Sequence, residues 1–141
     1  MATVYDVAQY INGQFGNLTK VKLQKLLYFC QAWHLAKYDA PLFDEDFYAW
    51  KLGPVVKELH KSMHSVETFV PYDIAGSNVD NLNNGEIIFI DKVLDCYGDK
   101  NKDELVAMTH EDDAWKNAMP DALITKESIK SCYKAKPCPI R

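Results

Sequence analysis

The sequence lacks most of the short motifs that identify an enzyme or a membrane protein. It contains no G-x-S-x-G nucleophile motif, no phosphate-binding loop and no dinucleotide fingerprint. No segment approaches the roughly 20 consecutive apolar residues that a transmembrane helix needs. The first residues lack the basic start and apolar run of a signal peptide. We therefore expect a cytoplasmic protein that has no membrane span, is not an enzyme and uses no cofactor.

The four cysteines are spaced unlike the common zinc and disulfide frameworks. None of the four cysteines belongs to a C-x-x-C pair, so we expect reduced, scattered thiols. His60 and His64 stand four residues apart, which is a spacing found in metal sites. No Glu follows His60 and no third ligand is evident, so we expect no bound metal.

Positive charge is too thinly spread to form a nucleic-acid-binding surface. The chain has a net charge of −4, and residues 73–121 hold twelve acidic residues against four lysines. Because an acidic middle repels a phosphate backbone, we expect no direct nucleic-acid partner. Residues 122–141 hold five basic residues and one acid. Such a charge split can steer a protein partner, although a mixed solvated surface explains any single charge more simply.

The length of 141 residues and the 48% hydrophobic content suit one domain that spans residues 1–141. Its strongest predicted helix lies at residues 20–37, with Thr19 as the N-cap. Apolar residues occupy one face of this helix and, at a spacing of seven, the nearly opposite face: Leu23, Leu26, Leu27, Cys30 and Trp33, then Val21, Tyr28 and Leu35. A helix that is apolar on two sides is usually central in its domain.

Weaker patterns predict smaller elements around this central helix. Further helices are predicted at residues 4–12, 54–64, 86–97, 102–109 and 125–135, and another begins within residues 109–118. Residues 65–85 predict a long loop. The expected fold class is mainly α, a compact single-domain helical bundle around residues 20–37. It has at most a short β-arm or hairpin near residues 47–50 and 67–72.

A Gly-Pro pair interrupts the apolar sequence "YAWKLGPVVKELH". Proline is tolerated in the first turn of a helix, where its missing N–H has no partner to lose. Gly53 can take backbone angles that other residues avoid. We therefore interpret Gly53 and Pro54 as a sharp corner that leads from the 47–50 arm into a helix beginning near Pro54.

Four residues at helical spacing predict a basic ridge that could receive a partner. Lys57, His60, Lys61 and His64 lie on the side of the 54–64 helix away from its apolar residues. Lys22 and Lys25, the polar break in the 20–37 helix, are the second candidates for partner binding. The alternative interpretation is a solvated helix face with no specific role.

His110 is the most plausible candidate for chemistry in this sequence. It follows Thr109 at a predicted helix start, where its ring or the threonine hydroxyl would cap the first turn. A catalytic role for His110 with a nearby carboxylate stays open as the less favoured alternative. We predict no catalytic residue.

Three blocks of sequence occur in an order that resembles a known family. They are "LTKVKLQKLLYFCQAWHLA" (18–36), "PLFDEDFYAWKLGPVVKELH" (41–60) and "LVAMTHEDDAW" (105–115). Together they resemble the Panacea antitoxin domain family, which includes the SocA-type antitoxin and many phage-associated proteins. Ala114 stands where many relatives have proline. The residues that match the family signature, in structural or functional roles, are Leu23, Gln24, Lys25, Leu26, Trp50, Gly53, Pro54, Val55, Thr109, His110 and Trp115.

This resemblance implies a mainly helical antitoxin of a two-gene toxin–antitoxin pair that neutralises its cognate toxin by direct contact. The toxin would be encoded by an adjacent gene. Some members instead act as adaptors that deliver a toxin to a bacterial protease, which gives a first alternative. A small enzyme that uses His110 is the second. The resemblance lies within residues 18–115.

Overall fold

The computed structural model describes residues 1–63 and 68–140, and over these residues the protein is mainly helical with a small antiparallel sheet. The structure therefore confirms the predicted mainly α fold class. The elements in chain order are α1 (Val4–Gly13), α2 (Lys20–Tyr38), β1 (Phe47–Trp50), β2 (Gly53–Val55), α3 (Lys57–Ser62), a 3₁₀ turn (Val79–Asn81), α4 (Asn84–Tyr97), α5 (Lys102–His110), α6 (Asp113–Lys116), β3 (Leu123–Ile124) and α7 (Lys126–Lys134).

Helix α2 occupies the centre of the fold, as its two apolar faces predict. Leu23, Leu27 and Cys30 are all completely buried, and so is Tyr28 on the nearly opposite side. Around it pack α1, α4, α5, α7 and β2. The side chain of Thr19 caps its first turn, and Asp39 ends it in the left-handed conformation.

Short polar side chains set the starts of the surrounding helices. Thr3 and Asp6 form a reciprocal capping box at α1, and Thr125 caps α7 as predicted. Asn83 and Asn101 form capping boxes at α4 and α5 with the glutamates three residues later. Helix α4 therefore starts two residues before its predicted boundary, and α5 starts at the predicted residue 102.

The sheet has the strand order β2-β1-β3, with both pairings antiparallel. Strand β1 corresponds to the predicted 47–50 arm. The sequence did not predict β3, because two residues between polar turns carry no readable alternation. The predicted 67–72 strand is reduced to an isolated antiparallel bridge between Thr19 and Phe69, and Glu67 lies outside the described residues.

The predicted start of the third helix at Pro54 is wrong. Pro54 belongs to β2, where it stands opposite Ala49, and α3 begins only at Lys57. Because β2 is an edge strand of the sheet, a proline costs it no ladder hydrogen bond on the outer side. The Gly-Pro pair therefore closes a hairpin rather than opening a helix.

The α-helices of residues 1–63 and 68–140 include none that is long and apolar enough to cross a membrane. All four cysteines are free thiols, and complete burial raises the pKa of the Cys30 thiol.

Candidate functional site

The hairpin of β1 and β2 presents a two-residue turn, Lys51 and Leu52, to solvent. Leu52 is 50% exposed. Gly53, which follows the turn and pairs with Trp50, has a φ of 105°. A Cβ at Gly53 would lie 2.5 Å from Thr109 Oγ1. Only glycine fits this position without strain, so the predicted need for an unusual backbone angle at Gly53 is confirmed.

Helix α2 holds β2 through hydrogen bonds from two signature residues to the backbone. Gln24 Nε2 donates to Val56 O at 3.2 Å, and Gln24 Oε1 accepts from Val56 N at 3.0 Å. Lys25 Nζ donates to Pro54 O at 2.6 Å. These bonds fix the path of the chain from the hairpin into α3.

Lys25, a second candidate for partner binding, is buried, so its ammonium is not presented on the surface. The residue is 1% exposed, because its side chain runs inward against Gly53 to reach Pro54 O. Desolvation by burial lowers the pKa of Lys25 to about 7. Among residues 1–63 and 68–140, no carboxylate accepts a hydrogen bond from Lys25 that would stabilise its charged form.

The other side of the hairpin turn is held by the signature residues around α5 and α6. His110 Nε2 donates to Lys51 O at 2.9 Å, and Trp115 Nε1 donates to Trp50 O at 2.9 Å. The two rings stack with their centroids 4.2 Å apart. We call Gln24, Lys25, His110 and Trp115 the hairpin anchor, because each of them binds backbone atoms of the hairpin or of the residue that follows it.

The predicted helix start at Thr109 and His110 is wrong. Both residues lie at the C-terminal end of α5, and the next helix begins at Asp113. Thr109 Oγ1 donates to Val106 O at 2.8 Å, within its own helix. The two residues therefore face the hairpin instead of capping a turn.

Trp50 separates two surface grooves that lie beside the hairpin turn. Its indole Nε1 donates to Asp121 Oδ1 at 2.8 Å, and its ring packs edge-on against His60 at 4.9 Å. The α2 groove, of about 220 Å³, has Val21, Leu52, Val55 and Met63 among its apolar walls. The Trp115 groove, of about 480 Å³, has Ala49, Trp115, Ala118 and Pro120 among its apolar walls. Trp50 and Lys51 line both grooves.

Of the predicted basic ridge, the described residues Lys57, His60 and Lys61 border two different grooves. Lys57 Nζ pairs with Asp121 Oδ1 at 3.0 Å and lies 4.1 Å from the centroid of the Tyr48 ring. Lys57 and Lys61 both border a groove that four acidic residues also line: Asp44, Glu45, Asp46 and Glu58. The charge on this side of α3 is therefore mixed.

His60 borders the α2 groove and not the acidic groove beside the two lysines. His64 lies outside the described residues. Lys22, another candidate, donates from Nζ to Gly98 O at 2.6 Å and lies 4.9 Å from the centroid of the Phe15 ring. Partner contact by Lys22, Lys57, His60 or Lys61 stays a prediction.

A buried carboxylate that the sequence interpretation missed joins three parts of the fold. Asp112 is 1% exposed and accepts hydrogen bonds from Tyr28 at 3.0 Å and from Tyr133 at 2.6 Å. Lys136 Nζ pairs with it at 2.7 Å. Burial, with the nearby Asp112 charge, raises the pKa of both tyrosines. We call these four residues the Asp112 cluster.

One signal in the sequence could have pointed to this cluster. Tyr28 lies on the second apolar stripe of α2, where a buried hydroxyl requires a partner. Asp112 itself lies in a run of three acids, Glu111 to Asp113, which in sequence suits the first turn of a helix better than a buried site. In the described part of the chain, no group of three His, Cys, Asp or Glu residues could hold a metal ion.

The family model described as antitoxin SocA-like, Panacea domain, matches residues 23–116, which is well over half of the chain. The matched segment contains the whole hairpin anchor and Asp112, but it ends before Tyr133 and Lys136. No curated protein and no solved structure matches the chain.

Proposed function

The chain belongs to the SocA-like antitoxin family with a Panacea domain, and from this premise we propose that it is the antitoxin of a toxin–antitoxin pair. It neutralises a cognate toxin by direct protein–protein binding in the cytoplasm. The observation that carries this proposal is the family match over residues 23–116. The toxin is proposed to be the product of an adjacent gene.

The geometry around His110 supports binding over catalysis. Its Nε2 is used by Lys51 O and its ring is stacked on Trp115. Thr109 is likewise buried and bonded within its helix. Groups that hold backbone atoms in this way are not available to a substrate, so the small-enzyme alternative finds no support at His110.

The proposal is tested by expressing the neighbouring gene in a bacterial host, with and without this chain. We expect growth arrest from the neighbour alone and restored growth when both are made. The purified pair should co-elute from a size-exclusion column. A Leu27→Asp variant, which places a carboxylate in the core, should fail to rescue and to co-elute. The proposal would be overturned if the product of the neighbouring gene is harmless, or if the intact chain does not relieve its toxicity.

Toxin lifetime separates neutralisation from the adaptor alternative. A neutralised toxin stays intact in the complex, so its level after translation is blocked should hold steady or fall no faster than without the chain. Delivery to a protease would shorten that lifetime, and the shortening would disappear in a host that lacks the protease. A folded His110→Gln variant that still rescues would count against the enzyme alternative.

A further inference from the structure

The apolar surface beside the hairpin turn is exposed to solvent, although hydrogen bonds hold the backbone of the hairpin in a fixed position. Leu52 is 50% exposed at the turn, and Met119, next to the Trp115 groove, is 74% exposed. The backbone of the turn is nevertheless held from two sides, by Lys25 at Pro54 O and by His110 at Lys51 O. Rigid presentation of an exposed apolar surface is typical of a binding site, because it lowers the entropy lost on association.

The walls of the two grooves contain basic side chains and no carboxylate, while Asp121 and Asp113 pair with the wall residues Trp50 and Lys116 from outside. Lys51 and Lys116 are exposed there and Lys20 is half-buried, whereas Lys25 is buried, and none of the described lining residues is Asp or Glu. This composition contrasts with the net charge of −4 for the whole chain. The third groove, beside α3, has four acidic residues in its wall. Apolar grooves with cationic edges therefore complement a partner that is apolar at its centre and acidic around it.

The size of the α2 groove favours a protein segment over a small molecule. Its volume of about 220 Å³ lies below the roughly 300–1,000 Å³ of typical ligand sites and suits one or two apolar side chains, whereas the Trp115 groove of about 480 Å³ lies within that range. The Trp115 groove continues the surface across Trp50. A partner segment that crosses the turn could place an apolar side chain in each groove and leave its carboxylates near the lysines.

We infer that the hairpin turn and its two grooves form the toxin-binding surface, and that this surface receives an apolar segment of the toxin flanked by carboxylates. The inference rests on the proposed antitoxin function. Trp50 and Leu52 supply the central apolar contact, and aromatic anchors of this kind dominate many interfaces. Lys51 and Lys116 supply the charge at the edge, which acts mainly on the rate of association and its salt dependence.

The test compares matched exposed residues inside and outside this surface, in binding titrations with the purified neighbouring-gene product. Leu52→Asp should weaken binding at least tenfold, whereas Ile88→Asp on α4, where Ile88 is 55% exposed, should leave it unchanged. Lys116→Glu should slow association and flatten its salt dependence. Lys102→Glu is its control, because Lys102 and Lys116 have similar side-chain exposure, 48% and 47%, and each pairs with a nearby aspartate.

Two outcomes separate failure of this inference from failure of the proposed function. If the intact chain binds and rescues but Leu52→Asp does so equally well, the surface is wrong and the function stands. If the neighbouring product neither binds nor is toxic, the function fails, and a pair of synthetic peptides still tests the surface. A Glu-Glu-Leu-Phe-Glu-Glu peptide should shift the NMR signal of the Trp50 indole N–H. Its Lys-flanked counterpart should not, and equal effects or no shift from either peptide would overturn the inference.

Discussion

The hairpin anchor and the Asp112 cluster stabilise the same fold in different ways. Donors of the anchor bind backbone carbonyls of the hairpin, so they fix the shape of one exposed loop. Donors of the cluster converge on one side-chain carboxylate, so they connect α2, the α5–α6 junction and the C-terminal segment. A backbone acceptor survives any substitution, whereas the carboxylate disappears with one. We therefore expect the cluster to be more vulnerable to a single substitution and the anchor to be more local in effect.

The largest expected effect comes from removing the carboxylate. Asp112→Ala leaves two buried tyrosine hydroxyls and the Lys136 ammonium without their acceptor, and should lower the free energy of unfolding by about 3–5 kcal/mol. Urea unfolding, monitored by circular dichroism, measures this loss of free energy. Asp113→Ala, whose side chain is 78% exposed, should change the free energy by less than about 0.5 kcal/mol. Equal midpoints for the two variants would show that the cluster does not join these elements.

The next effect is expected at the turn of the hairpin. Gly53→Ala should cost about 2–3 kcal/mol, because alanine is strained at a φ of 105° and its Cβ meets Thr109 Oγ1. Two control glycines separate these causes. Gly76 has a φ of 82° but open space around it, and Gly16 has neither strain nor a neighbour within 4 Å. The loss of stability on substitution by alanine should be largest at Gly53, smaller at Gly76 and smallest at Gly16. A different order in thermal melts would contradict this account.

The buried ammonium of Lys25 should give the anchor a pH dependence. Its pKa is about 7 in the folded protein against 10.5 for an ordinary lysine, so the unfolded chain binds more protons between these values and stability rises with pH. Relative to Lys25→Met, the wild type should gain about 2 kcal/mol of unfolding free energy from pH 7 to pH 9. Lys51→Met, which removes an exposed ammonium, should show no such change. A pH-independent difference for Lys25→Met would mean that the amine stays charged.

The smallest effect is expected from the charged side of α3, which belongs neither to the hairpin anchor nor to the Asp112 cluster. Changing Lys57 and Lys61 together to Glu should slow association with the toxin roughly twofold to threefold and weaken its salt dependence. The fold should remain, because neither side chain is in the core. Stopped-flow association at low and high salt measures the effect, with Lys130→Glu on α7 as a control. An unchanged salt dependence would remove this side of α3 from the interface.

Periodicity was sufficient to predict that the helices exist, but not where α3 and α6 begin, nor the hairpin anchor and the Asp112 cluster. The central position of α2 could be predicted because Leu23 and Tyr28 lie on opposite faces of one apolar helix. The hairpin was missed at Pro54, since a proline beside glycine suits a helix start and an edge strand equally well. Burial of Lys25 could not be predicted, because its acceptor is a backbone carbonyl that sequence spacing does not record. Asp112 was missed because Tyr133 is distant in the sequence, and proximity in three dimensions alone brings them together.

The dependence of the hairpin on distant donors has a consequence for synthesis on the ribosome. Lys51 O and His110 are 59 residues apart in the chain, and Trp50 O and Trp115 are 65 apart. A nascent chain that has released the hairpin but not α5 and α6 cannot yet fix the turn. The partners of Asp112 at residues 133 and 136 emerge later still. During translation the turn can therefore be fixed only after 59 to 65 further residues have followed the hairpin out of the ribosome.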